Sequence, residues 1–215
     1  MGNDKRWLAP LAGLGYFLLL SISFLGIGDT PDPIEDSAKE VVNFYVENEG
    51  KQITGAIIEA IAATLFVFFA GALRRTLRNA EGDQGMLSAI AFAGAIIFAT
   101  GLAIDATIAF TLTETAGKVD ETATQALSAL YANDFVPFAV GTQIFLLATG
   151  LSILRHGALP KWIGYLAIVF ALIAVTPVGF ASFIGGGVLV AIMSVMLTKR
   201  ARGAGSHPTH GTPVS

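Results

Sequence analysis

The stretch TGAIIEAIAATLFVFF, Thr54 to Phe69, holds a single charge, Glu59, in an otherwise apolar run. With its neighbours the run extends from about residue 52 to 73, and at 1.5 Å per helical residue that length matches the ~30 Å hydrocarbon core of a bilayer. Composition decides between a buried soluble helix and a membrane span. Of 215 residues, 53% are hydrophobic and 13% charged, whereas soluble domains carry about 25% charged residues. The mean hydropathy is +0.67. The expected fold class is therefore all-α, a polytopic membrane helical bundle, in which an ionised Glu59 needs a partner or water.

Working outward from Glu59, apolar runs recur at about 8 to 28, 86 to 112, 135 to 154, 162 to 178 and 181 to 198. With 52 to 73 they make six expected transmembrane helices. The break between the last two rests on TPVGFAS, Thr176 to Ser182. An unbroken helix from 162 to 198 would run roughly 55 Å, well beyond the bilayer core, so a hairpin at Pro177 and Gly179 is expected. The first run follows Lys5 and Arg6 like a signal peptide, but it is about 20 residues long with no clean cleavage site after it. It is read as the first span. Residues 1–198 are expected to form one transmembrane domain, and the Ser/Gly/Pro/Thr-rich stretch 199–215 a disordered cytoplasmic tail.

Ten basic residues, among them Arg74, Arg75, Arg78, Arg155, Lys161, Lys199 and Arg200, fall at one set of helix ends; only Lys39, Lys51 and Lys118 fall at the other. Both termini are therefore expected in the cytoplasm and the long loops 29–51 and 113–134 outside. Each loop carries an amphipathic segment, SAKEVVNFYVENEG and ETATQALSALYAND, expected as a short helix on the outer surface or capping the bundle. In the second, Ala123, Ala126, Leu127, Leu130 and Tyr131 recur at helical spacing. The two halves also resemble a parallel tandem repeat, in which Gln143 falls opposite Glu59.

Depth brings a candidate site into view. Glu59 lies about 10 Å inside the outer end of its helix and Asp105 about 12 Å inside the next. Gln143 is at a similar depth. Two acids and an amide thus share a layer, with small neighbours Gly55, Ala62, Ala63 and Gly101 leaving room beside them. No Lys, Arg or His lies within the expected spans. Each acid must be protonated, solvated through a cavity, or bound to a cation. The structural alternative is that a protonated acid serves as interhelical glue worth about 1 kcal/mol.

Other chemistry is excluded by inventory. There is no cysteine, which removes disulfides, thiol catalysis and cysteine-held metals. His156, His207 and His210 lie on the cytoplasmic side, so no intramembrane bis-histidine haem and no other cofactor is expected. Gly26–Gly28 lacks the strand and third glycine of a dinucleotide site. No nucleophile–base pair is recognisable, so no enzyme is expected. Ala91, Ala95, Ala99 and Ala103, with Gly185–Gly187, point to close helix packing.

The segment LRHGALPKWIGYLAIVFALIAVTPVGF, Leu154 to Phe180, resembles the basic-loop, Leu-Pro-Lys-Trp-hydrophobic-Gly signature of uncharacterised six-helix membrane proteins of bacteria, actinobacteria especially. The resemblance implies a bacterial plasma-membrane setting and transfers no activity. Physically, Pro160 starts a helix, Lys161 and Trp162 anchor its interface, and Gly164 admits a neighbour.

Two functions remain open from the sequence. One is a protein that binds or transports a proton, a cation or a small cationic molecule through an outward-facing acidic pocket at Glu59, Asp105 and Gln143. The other is a non-catalytic accessory or scaffold subunit. The expected partners are the lipid bilayer and a second copy or another membrane protein, not nucleic acid.

Overall fold

The computed structural model describes residues 7–27, 30–83, 85–176 and 178–204. Among them are eight helices and no strand: α1 (Leu8–Ile27), α2 (Ala38–Glu47), α3 (Glu49–Glu81), α4 (Met86–Thr115), α5 (Glu121–Ala132), α6 (Val136–His156), α7 (Lys161–Ile173) and α8 (Gly179–Ala204). Five segments are long and apolar enough to cross a membrane: α1, α3, α4, α8 and the stretch Glu121–His156 that ends in α6. The sixth expected span is the difference. α7 has 13 residues, about 20 Å of helix, and ends well before the expected residue 178. Its end is set locally, where Thr176 Oγ1 donates to Ile173 O at 2.7 Å and Gly179 N donates to Thr176 O at 2.8 Å. Pro177, expected to make this turn, lies outside the described residues. The tail expected from residue 199 is helical as far as Ala204; residues 205–215 lie outside the described residues.

The long helices stand in a ring ordered α1, α3, α4, α6, α7, α8, and α8 closes back on α1. Small residues let the backbones meet. A Cβ on Gly150 of α6 would come within 2.7 Å of the Gly164 carbonyl oxygen on α7. Ala91, Ala95 and Ala99 are buried, while Ala103, the last of that stripe, faces outward. Polar ties sit where hydrocarbon offers no alternative partner. Glu81 accepts from Ser88 N at 3.1 Å and from Ser152 Oγ at 2.5 Å, joining α3, α4 and α6 at their basic end. Ser182 Oγ donates to Phe170 O at 2.6 Å, joining α8 to α7.

At the acidic end, α2 and α5 pack on each other. Ser37 and Glu40 form a complete capping box that starts α2, and two helix-end amides are satisfied at once. Gln125 Nε2 of α5 donates to Pro33 O at 3.0 Å and Asp36 O at 3.1 Å, fastening the preceding loop. Val41 and Tyr45 of α2 are buried against Leu112 in the last turn of α4 and Ala116 just after it. The face of α5 differs from the expected one: Thr124 and Ser128 are buried, and Ala123, Ala126 and Leu130 are exposed. Helical spacing of apolar residues identifies a stripe, but beside lipid that stripe can face outward and leave small hydroxyl residues at the packed interface.

Candidate functional site

The helix layout places Glu59 of α3 and Asp105 of α4 on adjoining walls of one cavity of about 870 Å³. Glu59 lies on the same helical face as Ala56, and Asp105 one residue before Ala106; both alanines are buried at the α3–α4 contact, with Tyr131 against them. Small side chains there leave room for two acids. Glu59 and Asp105 stand close enough to influence each other's charge, and Asp134, between α5 and α6, does the same to Asp105. Asp134 Oδ2 is buried without a hydrogen-bond partner among the described residues. Glu59 and Asp105 thus form an acidic corner of the cavity, with Asp134 beside Asp105 but outside the lining.

The rest of the wall is mainly apolar. Phe24, Tyr131, Phe135, Phe138, Phe180 and Phe183 line it, and among the described residues Glu59 and Asp105 are its only charged ones. Glu59 is only 9% exposed, so any charge it bears feels little of bulk water. Beneath the cavity an aromatic cluster fills the bundle axis: Phe66 packs on Tyr16 with ring centroids 4.8 Å apart, on Phe98 at 5.0 Å and on Phe145 at 5.4 Å. A small void of about 20 Å³ lies among these rings. Ser23 Oγ donates to Gly55 O at 3.3 Å, holding α1 against α3 at the cavity's edge.

Gln143 is not in this wall. It is half-buried, and its neighbour Thr142 lines the cavity instead. One residue turns the side chain by about 100° around a helix, so the repeat alignment that set Gln143 opposite Glu59 reached the correct turn of α6 and the wrong face. Asp134 and Tyr131 were not among the expected site residues. Asp134 read as an outer-loop acid and Tyr131 as part of a surface face; the signal that could have found them is their place in the last turn before a span, where a chain re-enters the bundle.

Among the described residues, no group of three or more His, Asp and Glu is arranged to hold a metal ion. Fold and cavity together define a multi-pass helical membrane protein whose large apolar cavity carries acids at one corner.

The chain belongs to the family described as Domain of unknown function (DUF4386), which matches residues 11–200. No curated protein and no solved structure matches it.

Proposed function

We propose that this chain is a six-span bacterial plasma-membrane protein, with both termini cytoplasmic and α7 as a short sixth span, that binds an organic cation with an apolar body in an outward-facing pocket. The observation that supports this most is the pairing of Glu59 and Asp105 at one corner of a cavity otherwise walled mainly by aromatic and aliphatic side chains, with Asp134 beside Asp105 but outside the cavity's lining. Carboxylates so close repel one another unless a proton or a cation lies between them. Among the described residues no Lys, Arg or His lines the cavity to supply that charge. A volume of about 870 Å³ falls within the range of roughly 300–1,000 Å³ typical of small-molecule sites, far more than a bare ion fills. Aromatic faces at Tyr131, Phe24 and Phe180 add attraction for a soft cation.

Binding should weaken as pH falls, because protons compete for the same oxygens. The titratable groups around this corner are Glu59 from α3, Asp105 from α4, Tyr131 from α5 and Asp134 from the α5–α6 connection, with Tyr16 of α1 near Glu59 and Tyr45 of α2 near Asp105. The test uses two probes of one size and opposite charge, tetraphenylphosphonium and tetraphenylborate, in equilibrium binding to the purified protein. The reading predicts saturable binding of the phosphonium alone, weakened about tenfold or more, equivalent to ~1.4 kcal/mol, by Glu59→Gln or Asp105→Asn. Equal binding of both probes, or unchanged phosphonium binding in both variants, would overturn it.

A further inference from the structure

On that organic-cation reading, we propose further that the ligand enters the cavity sideways from the bilayer leaflet at the acidic end, and that it is a membrane-dissolved amphiphile with a cationic head and a hydrocarbon body. The cavity's own boundary carries the argument. Phe24, Phe135, Val136, Val140, Val175 and Phe180 line the cavity and are exposed, as rim residues are, rather than enclosed within it. Phe24 is 59% and Phe180 56% exposed, and their ring centroids stand 5.7 Å apart. They come from the outer end of α1, the start of α6, the α7–α8 turn and the start of α8. A mouth opening to water would have polar groups on its rim; among the described residues this one offers Thr176 alone of those that are exposed. In a membrane-spanning bundle such side chains face hydrocarbon.

The water side is covered. α5 reaches the cavity through Tyr131, α2 packs on α5, and Gln125 fastens the loop before α2 to α5. Glu59 and Asp105 come from α3 and α4, while the exposed rim belongs to α1, α6 and the α7–α8 hairpin. An amphiphile in the leaflet can therefore leave its chain among the rim side chains and send its head inward to the carboxylates. A water-soluble cation has to pass the α2–α5 cover or enter lipid first.

The test is photolabelling of the full chain in lipid nanodiscs. One probe is an alkyltrimethylammonium with a diazirine midway along its chain, the other an alkylsulfonate of the same length and label. Adducts are mapped by mass spectrometry. The cationic probe should label Val136, Val140, Val175 and Phe180 several-fold above the lipid-facing residues Ile57, Ile61 and Phe68 of α3, and the sulfonate should show no such preference. The double substitution Glu59→Gln with Asp105→Asn should reduce rim labelling to the sulfonate level. Equal labelling of rim and α3 surface by the cationic probe in the wild-type protein, or labelling confined to α2 and α5, would overturn lateral entry. Tetraphenylphosphonium binding in the same nanodiscs separates the two readings: if it persists without rim preference, only the route fails; if it is absent as well, the cation pocket fails too.

Discussion

A hydroxyl from α8 bridges a break in the backbone ladder of α1: Ser194 Oγ donates to Pro10 O at 2.6 Å and accepts from Leu14 N at 2.9 Å. That donor and acceptor are four residues apart, the spacing of a helical hydrogen bond, so one side chain inserts into the ladder and closes the ring. Ser194→Ala should lower stability by roughly 1–2 kcal/mol, since it orphans two buried backbone groups in a medium that offers no water; thermal unfolding in detergent checks this, and an unchanged midpoint would contradict it. At the other end, the Glu40 carboxyl is held below the ordinary glutamate range by hydrogen bonds from the Ser37 hydroxyl and backbone amide. A lowered folded-state value means the contribution is complete above the unfolded-state pKa and is lost as pH falls through the folded one. Protection against hydrogen exchange at the start of α2, taken relative to the intrinsic exchange rate at each pH, should therefore fall only on acidification below the ordinary glutamate pKa, and Glu40→Gln should remove that change in protection. At this scale the sequence was legible in depth and illegible in direction. Counting residues from the helix ends placed Glu59 and Asp105 in one layer; which way Gln143 or Asp134 points depends on helix rotation and on where α6 begins, and neither follows from hydrophobicity when lipid and core are both apolar.

Helix lengths and contacts set the next scale. Five of the long apolar stretches stand where hydropathy expected them, because length is the one property that a bilayer demands of a span. α7 departs from this because its last turn is closed by Thr176 and by the Ser182–Phe170 tie, tertiary features that a hydropathy window cannot see. Its seam with α6 depends on Gly150 and Gly164, which face each other across the contact. Gly150→Val should force the helices apart and cost about 1–3 kcal/mol or more, whereas Gly71→Ala, at a position with open space beside it, should be neutral or slightly stabilising. Unfolding of the two variants side by side separates packing from helix propensity; equal effects would contradict the close α6–α7 contact. The α2–α5 cover was legible as two amphipathic segments, but their pairing was not, because the packed face of α5 combines Leu127 and Tyr131 of the expected stripe with the fully buried Thr124 and Ser128, while Ala123, Ala126 and Leu130 face outward.

For the whole molecule, the ring of helices, the cover at the acidic end and the carboxyl corner beneath it combine into one account, a membrane pocket for an organic cation. Its orientation is testable on its own: cysteines at Ser37 and Thr122 should react with an impermeant thiol reagent in intact cells, and one at Asn79 should not. Labelling at Asn79 alone would invert the protein. The central claim is tested most directly by a crystal structure of the protein with tetraphenylarsonium, whose arsenic is located by anomalous scattering. The account predicts one arsenic peak inside the cavity beside Glu59 and Asp105, lost in the Glu59→Gln, Asp105→Asn double variant. Arsenic found only on the outer surface of the bundle, or unmoved by that double substitution, would contradict it.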